Sequence, residues 1–300
     1  MGSTKEVIIA KILYLSLERK IDLEKKHEVM YGDYTMMSEA FYRKVLEFQP
    51  DFLIEREFND GKSKYPDLVK YVREMIPQCR RIIWLIDSHV QSAWHIEYAL
   101  LFDYAFCAIS SFVPVLAGKM REVGAKTKCF WLPLCYPQSI DRIKRNKSKV
   151  PFDIVFVGRW GDKYFIKRNR RIKLLQKRYK SKFFAITDYL NMEDYLRQGV
   201  ISFNSSFSYD LNFRVFETIA NGIELVTNDV PDLHLVKDLV DRINIYHNDE
   251  EMFNMIDLIL SGKLEHDVIK SQIWVQMHHS LIHRHKAILK MVANNKQEEF

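Results

Sequence analysis

The stretch NFRVFETIANGIELVTNDVPDL, residues 212–233, begins with the pattern of a helix and ends with that of a strand. Apolar residues recur at helical spacing in its first half, and Gly222 is placed to end the helix before the strand-like run IELVTN. Arg214 and Glu217 are three positions apart, so they share one face of this helix. A helix between two strands predicts a βαβ unit and therefore a parallel sheet.

The same alternation continues outward from this stretch in both directions. The strand-like runs are IAKILYL (9–15), DFLIE (51–55), RIIWLID (81–87), YAFCAI (104–109), KCFWLP (128–133), FDIVFVG (152–158), KFFAI (182–186), VISFN (200–204), IELVTN (223–228) and RINIYH (242–247). A basic, polar stretch at 141–151 ends in proline and is the predicted linker between two Rossmann-like α/β domains. One long amphipathic helix is predicted at 268–294, with no strand after it.

Composition indicates a globular protein with two cores. The chain has 300 residues, of which 47% are hydrophobic, and this length exceeds a usual single core. The N-terminus is interrupted by Lys5, Glu6 and Lys11, and no run stays apolar for long enough to span a membrane. We therefore expect a soluble, cytoplasmic protein. The four cysteines form no C-x-x-C pair and are expected to be reduced thiols.

Ligands of parallel sheets bind beyond the carboxyl ends of the strands, so the residues that follow each strand are the functional candidates. This rule selects SLERK (16–20), DSH (87–89), GRWGDK (158–163), TDY (187–189) and NSSFSYDLN (204–212).

Two of these loops have the chemistry of a phosphate site. GRWGDK offers Gly158, Arg159 and Lys163 just before a helix, and cations at a helix N-terminus suit a diphosphate. An ordinary strand-to-helix turn with solvated charges is the alternative. In the second loop, Asn212 and the first-turn amides can point at phosphate, while Glu217 can accept two hydrogen bonds from a ribose diol. An Arg–Glu pair on the surface is the alternative there.

Several motifs together resemble a known family. They are N-x-R-x-F-E-x-x-A-x-G followed by IELVTND, the segment IIWLIDSH to CFWLPLCYP (82–137), and DIVFVG (153–158). Their order and spacing, over roughly residues 80 to 260, resemble the GT-B glycosyltransferases. The branch is the one similar to the spore-maturation CgeB proteins and the retaining group-1 transferases. The resemblance implies transfer of a sugar from a nucleotide-diphosphate sugar to an acceptor hydroxyl.

The resemblance also implies a GT-B arrangement and site roles. Residues 1–145 would form the acceptor domain, residues 150–270 the nucleotide-sugar domain, and 271–300 a helix that crosses back to the first domain. The nucleotide-sugar site would contain Glu217 on the ribose, Arg159 and Lys163 on the diphosphate, Arg214 on a phosphate or the sugar, with Gly158, Thr187 and Asn212 beside them. The donor is a substrate, so no cofactor is implied.

One position departs from the family pattern. Related retaining enzymes often have a second glutamate eight residues before the one matched by Glu217, and this chain has Tyr209 there, with Asp210 beside it. The identity of the donor sugar therefore does not carry over. Asp210 either substitutes for the glutamate or caps the helix.

Catalytic groups are expected from the first domain. Asp87 and His89 follow the strand RIIWLI, and either is a candidate base for the acceptor hydroxyl if the enzyme inverts. Alternatively, Asp87 caps the next helix and His89 is a surface residue. His95 is expected to belong to that helix.

No metal site is predicted. The sequence has no D-x-D motif, which the metal-dependent GT-A class uses. His279 and His283 lie one helical turn apart but lack the glutamate of H-E-x-x-H, and a solvated helix face is the favoured interpretation.

Basic residues cluster in two places, and these leave the acceptor class open. Segment 144–149 contains four, and segment 163–182 contains ten with no acid. Such a surface suits a polyanion such as DNA, RNA or an anionic polymer, or else it only keeps the protein soluble. Two other functions remain alternatives: a nucleic-acid-binding module with a vestigial cleft, and a nucleotide-sugar hydrolase or epimerase.

Overall fold

The computed structural model of the chain describes residues 10–16, 26–56, 65–136, 150–187, 191–207, 210–298 and 300. It divides into two compact units, and the division falls between Leu132 and Pro133. His285–Gln297 belong to the first unit, whereas Glu298–Phe300 belong to the second. Each unit contains a parallel sheet with flanking helices, so the predicted α/β class with two Rossmann-like units is confirmed. Residues 141–149 of the predicted linker lie outside the described residues.

The first unit is built on a six-stranded parallel sheet with the strand order β2-β1-β3-β4-β5-β6. Its elements are β1 (Lys11–Leu15), β2 (Glu28–Gly32), α1 (Glu39–Phe48), β3 (Phe52–Arg56), α2 (Tyr65–Met75), β4 (Arg80–Leu85), α3 (Ser88–Ala99), β5 (Tyr104–Cys107), α4 (Phe112–Glu122) and β6 (Lys128–Trp131). Residues 82–85 of β4 are completely buried, because helices cover both faces of a parallel sheet.

The second unit is built on a five-stranded parallel sheet with the strand order β11-β10-β9-β7-β8. Its elements are β7 (Phe152–Val157), α5 (Ile166–Tyr179), β8 (Phe183–Ile186), α6 (Met192–Leu196), β9 (Gly199–Phe203), α7 (Phe213–Ala220), β10 (Glu224–Asn228), β11 (Asn244–Tyr246), α8 (Asp249–Leu260) and α9 (Val268–His278). The helix α10 (Leu281–Asn294) begins in this unit, and its residues from His285 onward belong to the first. Gly199 lets β9 approach β7, since a Cβ there would lie 2.6 Å from Val155 Cγ1.

Strand β2 was not among the predicted strands. It pairs with β1 at the edge of the first sheet, and only its last residue, Gly32, is buried. The sequence EVMYG has no apolar run because an edge strand is covered less completely than a central one.

The predicted single helix at 268–294 is wrong: the structure has two helices, α9 and α10. His279 leaves the helical conformation at φ −128° and ψ 28°. Ser280 then begins the second helix, because its carbonyl accepts hydrogen bonds from the backbone amides of His283 and Arg284.

The cysteines match the expectation from the sequence: all four are free thiols, and three of them are buried. Burial raises the pKa of Cys79 to about 12 and that of Cys129 to about 11. Among the helices that the structure describes, none is long and apolar enough to cross a membrane.

Candidate functional site

The carboxyl ends of β7, β8, β9 and β10 all lie at one edge of the second sheet because the strands are parallel. The loops after these strands therefore meet at this edge, and the helix α7 starts from one of them. This edge is the candidate site, and most of the predicted binding residues belong to it.

The loop after β7 is held in shape by the helix that follows it. Asn169 accepts a hydrogen bond from the Gly161 amide at 2.7 Å and donates one to the Asp162 carbonyl at 2.6 Å. Arg168 donates to the Arg159 carbonyl at 2.8 Å. Gly161 has φ +85°, a left-handed conformation that favours glycine. Side chains of α5 therefore hold this loop in one conformation.

The two predicted diphosphate ligands project from this loop. The Arg159 side chain is 63% exposed and pairs with Asp162 at 3.0 Å, and Lys163 is exposed as well. Thr187, at the end of β8, donates its hydroxyl hydrogen bond to the Gly158 carbonyl at 3.2 Å. The structure therefore brings Gly158, Arg159, Lys163 and Thr187 together, with both cations accessible to an anion.

The loop after β9 forms a polar network with the end of β10. Asn204 is buried and donates to the Thr227 hydroxyl at 2.9 Å, and Asn228 accepts from the Ser206 amide at 2.6 Å. Asn212 donates to Asn204 at 3.2 Å and to the Ser206 hydroxyl at 3.2 Å. The network fixes the chain just before α7.

Asn212 occupies the N-cap position of α7 but does not cap it with its side chain. Its amide donates into the network, whereas its Oδ1 atom is buried and accepts no hydrogen bond from the residues that the structure describes. The first-turn amides of α7 therefore receive no side-chain cap from Asn212.

Arg214 and Glu217 form a buried ion pair on α7. Arg214 Nη1 lies 3.0 Å from Glu217 Oε2, and the two side chains are only 9% and 8% exposed. Arg214 also contacts Met192 Sδ. The alternative of a surface pair is wrong, since burial of both charges requires desolvation that a surface pair avoids. The predicted shared helix face is present.

The sequence reasoning missed a supporting layer of arginines. Arg168 donates to the Ser205 carbonyl at 2.8 Å and stacks over the Phe165 ring, with 4.4 Å from its guanidinium carbon to the ring centroid. Arg171 pairs with Asp249 at 3.2 Å and lies over Tyr246. These arginines lie in the basic run that the sequence singled out, but periodicity alone does not separate supporting cations from exposed ones.

The basic run 163–182 therefore divides into two classes. Half of its members are engaged within the unit: Arg168 with backbone carbonyls, Arg170 and Arg171 with Asp249, Arg178 with Asp257, and Lys182 with Asp153. The other half are exposed lysines for which the described part of the chain provides no acidic partner: Lys163, Lys167, Lys173, Lys177 and Lys180. Segment 144–149 lies outside the described residues.

In the first unit, Asp87 follows β4 at the carboxyl edge of that sheet. Asp87 is exposed, and its backbone has a left-handed conformation with φ 57°. Its side chain makes no capping hydrogen bond, so the alternative that Asp87 caps α3 is wrong. For His89 only the backbone, in α3, is described. His95 belongs to α3 as predicted, where it is buried and its Nδ1 atom lies 3.0 Å from the Ser88 hydroxyl.

The interpretation of His279 and His283 as a solvated helix face is wrong for His279. That ring is buried, and its Nδ1 atom accepts a hydrogen bond from Arg284 at 2.7 Å. Burial, together with the Arg284 charge, lowers the pKa of His279 to about 2. His283 Nδ1 lies 2.6 Å from the Ser280 hydroxyl. Over the described residues, no group of three or more His, Cys, Asp or Glu side chains could hold a metal ion.

Two positions near the site bear on the missing second glutamate. Tyr209 lies outside the described residues. Asp210 is buried, at 8% exposure, and its backbone amide donates to the Phe207 carbonyl at 3.3 Å.

No protein-family model matches the sequence, and no curated protein matches it either. Solved structures match in fold. HepE of Anabaena in complex with UDP and glucose gives a TM-score of 0.56 at 11% identity, over 95% of this chain and 100% of that one. A glycosyltransferase of Rickettsia africae gives 0.55 at 9% identity, over 96% and 98%.

The pneumococcal O-GlcNAc transferase GtfA in complex with UDP and GlcNAc gives a TM-score of 0.50 at 14% identity. The match covers 85% of this chain but only 59% of that one, so the chain spans less than two thirds of that relative. At these identities the likeness concerns the fold alone, and it shows that the chain has the GT-B fold.

Proposed function

We propose that this GT-B chain is a glycosyltransferase that moves a sugar from a nucleotide-diphosphate sugar to an acceptor hydroxyl. The observation that carries the proposal is the buried Arg214–Glu217 pair, located one turn into a helix that opens at the carboxyl edge of the second sheet. Desolvation makes a buried ion pair weak evidence for stability, and charged groups buried at a ligand-binding edge are candidates for a functional site. Membership of the CgeB-like branch stays a prediction.

Each element of the edge has a role in the proposal. Glu217 accepts hydrogen bonds from the ribose hydroxyls, and Arg214 holds a phosphate oxygen or the sugar. Arg159 and Lys163 bind the diphosphate, whose charge the N-terminus of α7 also favours. Gly158 and Thr187 border the bound donor.

Uracil is the base that we propose for the donor nucleotide. HepE and GtfA, which have similar folds, were solved with UDP.

The charges of Arg159, Lys163 and Arg214 stabilise the leaving nucleotide diphosphate, and the proposed reaction uses neither a metal ion nor a cofactor. Transfer that continues at full rate in excess EDTA would support this. Asp87 is the proposed base at the acceptor hydroxyl in an inverting reaction, with His89 as the alternative.

A thermal-shift panel of the wild-type protein with UDP, GDP, TDP and ADP, and with their sugar conjugates, tests the proposal. A ligand that binds only the native state raises the melting temperature with its concentration. We expect UDP and UDP-sugars to give the largest shift. A panel in which no nucleotide diphosphate shifts the melting temperature would exclude a donor site in this chain.

The acceptor class is a separate proposal, favoured by one observation. Lys167, Lys173, Lys177 and Lys180, the exposed lysines of the 163–182 run other than Lys163, offer positive charge to which a polyanion such as DNA can bind. DNA binding without nucleotide binding would favour the alternative of a nucleic-acid-binding module. Release of free sugar at full rate without acceptor would favour a hydrolase.

A further inference from the structure

Arg284 is a fully buried cation with an unusual set of partners. It is 1% exposed, and it donates hydrogen bonds to the Pro133 carbonyl at 2.7 Å, to the Leu134 carbonyl at 3.0 Å and to His279 Nδ1 at 2.7 Å. None of its hydrogen bonds within the described part of the chain goes to a carboxylate. Burial lowers the pKa of Arg284 to about 10.

The aromatic neighbours of Arg284 connect it to α7. Its guanidinium carbon lies 5.7 Å from the centroid of the Phe216 ring and 5.1 Å from that of Phe300. The His279 ring stacks on Phe216 at 5.4 Å between centroids and 25° between planes, and Trp274 packs against His279 at 4.4 Å. Arg284 and His279 therefore form a platform under Phe216.

Phe216 directly precedes Glu217 on α7. A residue of α9 also contacts the C-terminal end of α7. Gln272 donates to the Ala220 carbonyl at 2.7 Å and so satisfies a carbonyl of the last turn. The N-terminal end has no side-chain cap from Asn212. The polar network around Asn212 holds the chain before α7, and α9 and Arg284 contact the middle and the C-terminal end of this eight-residue helix.

Stability alone does not explain a buried arginine without an acid. An apolar side chain of similar volume often stabilises a fold as well as or better than a buried charge. The guanidinium adds a fixed orientation, because its three hydrogen bonds hold its plane in place. The fixed plane in turn determines where the Phe216 and Phe300 rings pack against it.

We propose that Arg284 and His279 are positioning residues that hold α7, and with it Arg214 and Glu217, in the orientation that binds the nucleotide diphosphate. The expected effect on nucleotide-diphosphate binding rests on the proposed function, whereas the expected effect on the orientation of α7 does not.

Arg284→Met in the full-length protein tests the proposal, because methionine fills much of the same volume but has no hydrogen-bond donors to fix its orientation. Arg178→Met is the matched control, since Arg178 lies in the same unit but pairs with Asp257 on α8. His279→Phe is a second variant that keeps the ring against Phe216 and removes the acceptor of Arg284. If Arg284→Met fails to fold, His279→Phe carries both measurements.

Amide hydrogen exchange gives the first readout. We expect the amides of 213–220 to exchange at least about tenfold faster in Arg284→Met than in the wild type, while those of 166–179 change little. Equal acceleration in both helices would indicate general destabilisation and would overturn the proposal, as would unchanged exchange in α7.

The second readout is the UDP affinity, measured by calorimetry well below the melting temperature. We expect about tenfold weaker binding in Arg284→Met, and less than about twofold further loss when it is added to Glu217→Gln, since both changes act through the same helix. A lower melting temperature with unchanged UDP affinity would make Arg284 structural only. If wild-type protein binds no UDP, the proposed function fails, and the exchange experiment still decides the positioning of α7.

Discussion

At the residue scale, the arrangement of Arg159 and Asp162 suggests that the diphosphate competes with an internal acid. Arg159 pairs with Asp162 at 3.0 Å in a largely exposed position, where such a pair contributes little to stability. The same carboxylate accepts a hydrogen bond from the Tyr164 amide at 3.2 Å. If a diphosphate binds Arg159 as proposed, the Arg159–Asp162 ion pair has to break first.

Asp162→Asn should therefore tighten UDP binding by roughly threefold, because it removes a competing charge worth less than about 1 kcal/mol. Asparagine keeps an oxygen for the Tyr164 amide, so the loop should keep its shape. Asp153→Asn, at the opposite end of β7, is the control for net charge. Weaker binding in Asp162→Asn, or an equal gain in both variants, would contradict this competition.

At the element scale, the break between α9 and α10 has a consequence for stability at low pH. His279 stays neutral in the native protein, where burial lowers its pKa to about 2, but takes up a proton near 6.5 when unfolded. Below that value the unfolded state binds more protons, so stability decreases as the pH falls through 6.5. His278, His283, Arg242 and Arg284 add positive charge around the ring.

The wild type should lose about 2 kcal/mol more unfolding free energy than His279→Phe between about pH 7.5 and pH 5, at about 1.4 kcal/mol per pH unit below 6.5. Urea denaturation at several pH values measures both proteins. Parallel pH profiles for the two would show that His279 is protonated in the native state.

These elements also show how far the sequence could predict the fold. Strands such as β4, β7 and β9 are central and apolar, so their patterns are unambiguous. The loops after β7 and β9 include every predicted binding residue except Thr187, which follows the edge strand β8, and the two residues on α7. The edge strand β2 has no such pattern. At the break, His279 accepts a hydrogen bond from Arg284, whose other hydrogen bonds reach back about 150 residues, to Pro133 and Leu134. A local pattern contains no information about contacts of that range.

The same limit applies to the candidate site. Spacing placed Arg214 and Glu217 on one helix face, but their burial results from packing of the whole of α7. Likewise, the division of the basic run between Arg168, which supports the loop, and exposed lysines such as Lys173 depends on which acids and carbonyls the fold places beside each one.

At the scale of the whole molecule, we propose that a polyanion binds exposed lysines of α5, at a surface separate from the proposed donor site. Lys167, Lys173 and Lys177 lie on α5, are exposed and have no acidic partner among the described residues. If DNA is the acceptor, the triple change to alanine should reduce the slope of log K against log salt by up to about 2.7, at about 0.9 per lost phosphate contact.

Fluorescence anisotropy with a labelled DNA duplex at several salt concentrations measures this slope, and calorimetry with UDP serves as the control. We expect the UDP affinity to stay within about twofold, because the lysines lie on the helix and not on the loop after β7. An unchanged salt slope, or no DNA binding by the wild type, would remove nucleic acid as a ligand of this surface.

The central claim, that α7 binds the ribose of a nucleotide-sugar donor, is tested most directly by the UDP affinity of Glu217→Gln. Glu250→Gln, which changes an exposed carboxylate in the first turn of α8, is the matched control. Calorimetry should give at least about tenfold weaker UDP binding for Glu217→Gln and wild-type affinity for Glu250→Gln. Equal UDP affinity in Glu217→Gln and the wild type, with both proteins folded, would contradict the assignment of the donor site.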